Sequence, residues 1–432
     1  MEYSILLLEG LILINSFPYV ISCGIFDLLF QMLVMQFSNY LTDSFVSVKI
    51  LLFLTLERKT VKRMETYDRN IPYNQLPPLP PATVLYQDED VMNMLTVASR
   101  RLAELKGLAS ALPNQSIFVN TIALREAKAS SAIENIFTTD DELYRSLSYP
   151  EDDFLEGPAK EILHYREALW KGYNNIMTDK SMTLETVIDV YREVKRTHDG
   201  IRPYQAEVVI KKRGWGSLVA ETVYTPPKGK GVVEKKMADL LEFLNDDINY
   251  PIDPLLKMAM AHYQFEAIHP FRDGNGRTGR ILCILYLIQK HLLDLPILYL
   301  SAYILQNKDE YYHRLNSITG TLMWKPWLLY MLEAVSQTAE YTTDKIMRIR
   351  SLIEKTNKIM SDNKLPVARL DIPKLFEQPY IRPKNLLSDK IKSINTAKKY
   401  LTELESLGML SKEKVGKEFI WLNTELMNIL SD

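Results

Sequence analysis

The sequence predicts a mainly α-helical protein with one β-hairpin in its central region and a smaller mixed module near its C-terminal end. Three observations predict this. Apolar residues recur at helical spacing through most of the chain beyond residue 87, a single pair of β-prone runs is joined by a glycine-containing turn, and a short alternating pair follows three helical segments near the end. The 432 residues are 47% apolar and 25% charged, enough for a sizeable core and about two or three domains. A net charge of −2 excludes general attraction to nucleic acid or an anionic membrane. Cys23 and Cys283 are the only cysteines, so no disulfide framework or paired metal motif exists, and a reducing, cytoplasmic compartment is expected.

Residues 1–63 form an apolar extension. Its uncharged runs of 17 residues (10–26) and 15 residues (28–42) are short for a membrane span, which needs about 20. The basic cluster Arg58, Lys59, Lys62 and Arg63 leads straight into Met64. The favoured reading is that the working protein begins at Met64. A membrane-anchoring segment and an extra buried helical layer are the alternatives, and membrane contact follows only if 1–63 is native.

Residues 64–150 start with an irregular arm in which Gln75 to Pro81 favours an extended form, most simply a strap over the surface. Val91, Met94, Leu95, Ala98, Leu102, Leu105 and Leu108 then follow helical spacing, with Asp88 to Asp90 in the first turn and Pro113 with Asn114 as the stop. Residues 120–136 predict a second helix.

Residues 151–345 form the expected core. Helices are predicted at 183–197, 234–245, 253–268, 277–293, 302–316 and 326–361. Ala206 to Ile210 and Leu218 to Thr225 predict the hairpin, closed by Pro226-Pro227. Residues 346–363 predict a helical linker. In 364–432, helical segments near 370–377, 384–391 and 393–407 precede two alternating runs at 410–414 and 418–422, which is the winged-helix pattern.

The densest chemistry lies in His269-Pro270-Phe271-Arg272-Asp273-Gly274-Asn275-Gly276-Arg277-Thr278-Gly279-Arg280. Asp273 is a hard oxygen ligand suited to Mg²⁺. Gly274, Asn275 and Gly276 let main-chain N–H groups approach an anion, and a helix predicted to start near Arg277 presents its N-terminus there. Arg277 and Arg280 share a helix face and can grip separate phosphates. His269 can act as a base near neutral pH. A competing metal-hydrolase reading starts from His262, Glu266 and His269, which at i, i+4, i+7 share one helix face, but the H-E-x-x-H pattern is absent and no ligand to complete that zinc set is apparent.

This stretch matches H-x-F-x-(D/E)-G-N-G-R-x-x-R at every fixed position, and the chain resembles Fic-domain proteins, which mostly transfer AMP from ATP to hydroxyl side chains of other proteins. The resemblance covers residues 64–345 well, 364–432 loosely and 1–63 not at all. It implies ATP as co-substrate, Mg²⁺ on Asp273, and His269 as the base that frees a target Ser, Thr or Tyr oxygen to attack the α-phosphorus. It further implies that Gly274 to Gly276 stabilise the developing charge, while Arg277 and Arg280 hold the β- and γ-phosphates.

Ser130-Ser131-Ala132-Ile133-Glu134-Asn135 fits the family's (S/T)-x-x-x-E-(G/N) inhibitory helix, which implies that Glu134 pairs with Arg280 and blocks the γ-phosphate. The hairpin, with Val208, Val209, Ile210 and Tyr224, resembles the flap on which a target segment docks. Asn307 and Tyr311 lie in the segment resembling the one beside adenine, where a core role for Tyr311 competes. Residues 381–400 carry six basic side chains against one acid, yet Glu403 and Glu405 blunt that patch. A protein-docking or dimerising module, with a homo-oligomer among its outcomes, is therefore favoured over DNA contact. Removal of AMP by the same site, and a winged-helix regulator whose Fic portion senses nucleotide, are the alternative functions.

Overall fold

The computed structural model describes residues 67–110, 116–148, 157–213, 220–365, 372–415 and 418–432. The extension expected at 1–63, the stop at Pro113 and Asn114, and the turn of the hairpin lie outside the described residues. Contacts place Arg69–Asn316 with Met323–Asp432 in one large unit and residues 67–68 with Ser317–Leu322 in a small separate one. Every residue of the candidate site lies in the large unit. Among the described residues, no helix is long and apolar enough to cross a membrane.

The chain is mainly α-helical, as expected. Helix α1 (Glu89–Ser110) buries Val91, Leu95, Ala98, Leu102 and Leu105 along one stripe and packs along the long helix α11 (Trp324–Asp362). Between them in sequence come α2 (Ser116–Ile133), α3 (Asp140–Ser148), α4 (Pro158–Asp179), α5 (Leu184–Lys195), α6 (Val232–Asn245), α7 (Pro254–Ile268), α8 (Asn275–Gln289), α9 (Leu300–Gln306) and α10 (Lys308–Thr321). The helix at 158–179 is a finding beyond the sequence-based expectation. Pro158 opens it at the first helical position. Its Gly172 faces α8 and α5 so closely that a Cβ would overlap Leu285 and Val190.

Helices α7 and α8 form the centre. Both are buried on nearly every face, which fits their continuous apolar sequence. Asp253 caps α7 by accepting from the Leu255 N–H at 2.8 Å, and Pro254 fills its first position. Helix α2 is seated by Glu126, buried within it. That carboxylate accepts from the Ser301 N–H at 2.8 Å, from the Ser301 hydroxyl, and from the Tyr165 hydroxyl at 3.1 Å.

The hairpin pairs β1 (Ile210–Arg213) with β2 (Ala220–Tyr224) antiparallel, Lys211 opposite Thr222, with an irregularity between Ile210 and Lys211. Strand pairing thus starts later than expected, and Val208 and Val209 precede β1. The arm at 69–81 does run as a strap: the Asn74 side chain exchanges two hydrogen bonds with the Lys228 main chain, and Tyr73 donates to the Thr225 carbonyl.

The C-terminal module corrects two expectations. The segments predicted as helices near 370–377 and 384–391 are only 3₁₀ turns, Ile372–Leu375 and Pro383–Leu386. Pro379 lies just beyond the first and disfavours a helical residue before it, and the second gives way to a turn in which Ser388 and Ile391 exchange main-chain hydrogen bonds at 3.0 and 3.2 Å. Strand β3 (Tyr380–Ile381), helix α12 (Ile394–Ser406), β4 (Ser411–Val415), β5 (Glu418–Leu422) and α13 (Thr424–Ser431) complete it, with sheet order β3-β5-β4. The module docks on α3 and α11. Arg145 reaches Glu413 at 2.7 Å, Tyr380 donates to Asp141, and Lys355 pairs with Glu425 at 2.8 Å. Arg382, counted in the basic patch, is paired with Glu418 at 2.6 Å.

Candidate active site

The site forms where α7 ends and α8 begins. His269 follows α7 in a left-handed conformation (φ 51°), with its N–H bonded to the Phe265 carbonyl at 2.9 Å. That region costs a non-glycine residue about 1 kcal/mol or more, so neighbouring contacts must hold it. Arg202 does so. Its Nε donates to the His269 carbonyl at 2.8 Å, its Nη2 to Ile268 at 3.3 Å and Pro227 at 2.6 Å, and its main-chain N–H to Pro270 at 2.9 Å. The Tyr224 hydroxyl adds a bond to Ala267 at 2.8 Å. The last carbonyls of α7, which the helix itself cannot satisfy, are thereby paired. Tyr224, expected on a docking flap, thus also supports the histidine.

The His269 Nδ1 lies 3.3 Å from the Glu266 carbonyl. A carbonyl only accepts, so this bond puts the proton on Nδ1 and leaves Nε2 with its lone pair. Burial pushes the imidazole down to about 4, against the smaller opposing effect of the Glu266 carbonyl. The ring is neutral at physiological pH.

Between His269 and α8, Phe271 is fully buried and stacks on Tyr191 at 3.8 Å. Asn275 closes the loop: its Oδ1 accepts from the Phe271 N–H and its Nδ2 donates to the Phe271 carbonyl, both at 2.9 Å. The Asn275 side chain, expected to face the nucleotide, is occupied in shaping the turn. Gly274 (φ 79°) begins α8 and no side chain caps the helix, so first-turn N–H groups are left for an anionic ligand.

Asp273 is 71% exposed and accepts from Lys195 Nζ at 2.6 Å and the Gly274 N–H at 2.7 Å. Desolvation raises its carboxyl, but Lys195 and the Gly274 amide outweigh that and hold it below its ordinary value. A lone exposed carboxylate beside an anion cradle fits Mg²⁺, which binds through one or two carboxylates plus substrate phosphates. Among the described residues no cluster of three acidic, His or Cys side chains offers an all-protein metal cage.

Arg280, 1% exposed, donates from Nε to the Ser130 hydroxyl at 2.8 Å, and from Nη2 to the Ser130 carbonyl at 2.8 Å and to Glu134 Oε1 at 2.9 Å. Glu134 sits just past the end of α2, 34% exposed, and its Oε1 stands against the bare face of Gly276. Asn135 follows with φ 62°, a left-handed position that Gly and Asn tolerate best. The first, fifth and sixth positions of the six-residue motif thus each have a physical task. Arg277 pairs with Glu161 Oε2 at 2.8 Å.

Tyr311, expected beside adenine with a core role competing, is a core side chain. It is buried, 2.9 Å from His262 Nε2, and packs against Trp327 and Tyr330; Tyr312 is the exposed ring of the pair. His262 is accordingly a core residue, stacked on Trp327. The Asn307 amide donates to the Tyr303 carbonyl at 3.0 Å. Arg202, Lys195 and Glu161 escaped sequence reasoning. Each meets its partner across 67, 78 and 116 residues respectively, and no local pattern signals it.

The chain has recognisable relatives among known proteins. The Fic/DOC family N-terminal model matches residues 92–174, the Fic/DOC family model 181–287, and the model of the protein adenylyltransferase SoFic-like C-terminal domain 352–426. The chain belongs to the Fic/DOC family. It is 36% identical over 95 residues to protein adenylyltransferase fic-1 of Caenorhabditis briggsae, covering 22% of this chain and 17% of that one. It is 25% identical over 285 residues to protein adenylyltransferase Fic of Drosophila willistoni, covering 60% of this chain and 51% of that one. It therefore spans about half or less of the length of these curated relatives. A Fic family protein from Desulfovibrio desulfuricans G20 aligns with a TM-score of 0.47 at 19% identity, covering 78% of this chain and 96% of that one.

Proposed function

We propose that this protein transfers AMP from ATP to a hydroxyl side chain of a target protein, and that Glu134 holds the site in a restrained state. The observation that carries this reading is the meeting, within one loop, of a neutral imidazole, an exposed carboxylate and the uncapped N-terminus of α8. His269 Nε2 takes the proton of the target hydroxyl as its oxygen bonds to the α-phosphorus. The bond from that phosphorus to the bridging oxygen breaks, and pyrophosphate leaves. The amides from Gly274 to Gly276 stabilise charge developing on the transferred group. Arg277 and Arg280 orient the outer phosphates, and positioning does most of the work in such transfers. Asp273 would hold Mg²⁺, which when bound neutralises phosphate charge; Lys195 must yield that carboxylate.

With Glu134 on Arg280, the γ-phosphate loses its partner. Incubation with ATP labelled in the α-phosphate tests the proposal: Glu134→Gly should label itself or added protein strongly, wild type weakly, and Glu134→Gly/His269→Ala not at all. Label retained without His269 would refute the assignment. A second reading, hydrolytic removal of AMP, draws support from Glu134 Oε2, which has no hydrogen-bond partner among the described residues and could orient water. Loss of one AMP mass from modified target with wild type, but not with Glu134→Gly, would favour it.

A further inference from the structure

Arg277 and Arg280 of α8 are each paired with a glutamate, but the two pairs differ. Glu134 reaches Arg280 from the end of α2 and stands against Gly276, within the space an anion would take. Glu161 reaches Arg277 from the first turn of the 22-residue helix α4 and is not among the atoms nearest Gly274 or Gly276. Arg277 is 3% exposed, whereas the Glu161 side chain is 45% exposed. Glu161 takes only the Nη1 corner and is the sole hydrogen-bond partner of Arg277 among the described residues; Nε is buried without one.

We propose that Glu161 is a positioning residue for polyphosphate, fixing the Arg277 guanidinium at the edge of the turn with its remaining N–H groups ready for the second phosphate of a nucleotide. This rests on the reading of the site as a nucleotide pocket. Two effects oppose each other. The Glu161 carboxylate repels a phosphate, and it also orders the arginine beforehand. Water screens the charge of a half-exposed carboxylate, while a buried guanidinium acts at low dielectric, so ordering wins. An arginine already fixed in its fork geometry loses less side-chain freedom when phosphate arrives.

The test measures AMP and ADP binding by calorimetry in the Glu134→Gly protein, alone and with Glu161→Gln. The expected result is about tenfold weaker ADP binding, the scale of one charge-assisted hydrogen bond, with AMP binding unchanged because AMP lacks the second phosphate. Unchanged AMP affinity also shows that the fold is kept. Arg277→Gln should reproduce the ADP-specific loss, with no further loss when Glu161→Gln is added. Unchanged or tighter ADP binding in Glu161→Gln would overturn the proposal, as would equal weakening of AMP and ADP. Failure of the Glu134→Gly parent to bind either nucleotide would instead overturn the pocket reading on which it stands.

Discussion

Arg202 donates from Nε to the main-chain carbonyl of His269 at 2.8 Å, across 67 residues of sequence. The bond joins the loop before the hairpin to the end of the central helix, at the residue whose backbone is left-handed. One buried guanidinium here satisfies three carbonyls, those of Pro227, Ile268 and His269.

Arg202→Leu should therefore destabilise the protein by about 2–4 kcal/mol, because buried carbonyls lose their donor. In the Glu134→Gly background, Arg202→Lys should lower transfer about 10- to 100-fold, since an ammonium cannot span the three acceptors and His269 shifts. Urea denaturation and initial-rate labelling measure the two effects. A Lys variant with full activity would show that His269 holds its place unaided.

The His269 ring, pushed by burial down to about 4, predicts an unusual pH profile. Activity of the Glu134→Gly enzyme should stay level as pH falls through 6.5, and drop only near 4. Protons bind the unfolded ring first, so its stabilising contribution is present above 6.5 and is lost as pH falls through about 4. A kcat/KM profile with an acid limb near 6.5 would contradict the buried, neutral base.

Glu266 gives the opposite sign. Desolvation pushes its carboxyl up to about 7, and its Oε1 is buried without a hydrogen-bond partner among the described residues. Its contribution to stability is present below its ordinary 4.5 and is lost as pH rises through about 7. Glu266→Gln, which cannot ionise, should thus gain on wild type between pH 4 and pH 8 by about 1–3 kcal/mol. Denaturant midpoints at both pH values decide it; parallel curves would mean that folding leaves the Glu266 carboxyl at its ordinary value.

Asn275→Ala should remove both bonds to the Phe271 main chain and leave a buried N–H and C=O unpaired, a loss of about 2–3 kcal/mol. Nucleotide binding by its Glu134→Gly version should fall, because the side chain shapes the turn through the Phe271 main chain. If stability holds while binding falls, the asparagine acts on the nucleotide directly.

What could be read from the sequence was local. The motif from His269 to Arg280 is contiguous, so its turn, acid and arginines could be recognised together. Ser130, Glu134 and Asn135 stood out only because a six-residue pattern recurs upstream of such a motif. The tasks of Arg202, Lys195 and Glu161 could not be read, because each is defined by a partner on another element. Helix α4 was overlooked although Ile162, Leu163, Tyr165, Ala168, Leu169, Gly172 and Ile176 share its buried face; small residues at 168 and 172 thin the apolar stripe. Tyr311 shows the reverse error, since an aromatic at helical spacing near the pocket proved to be core. In the C-terminal module, apolar spacing suggested helices where Pro379 and the Ser388–Ile391 turn leave only short 3₁₀ segments.

Under the proposed restraint by Glu134, the bare face of Gly276 sets a rule for how it is relieved. A side chain there would evict the Glu134 carboxylate, yet it would equally fill the berth of an incoming anion. Lock and keyhole coincide, so no change confined to that spot can open one and spare the other. On that proposal, relief in the unaltered protein comes by leverage, through withdrawal of the end of α2. Its distant footholds, Arg125 on Asp140 and Glu126 on Ser301, are where such a pull would be felt.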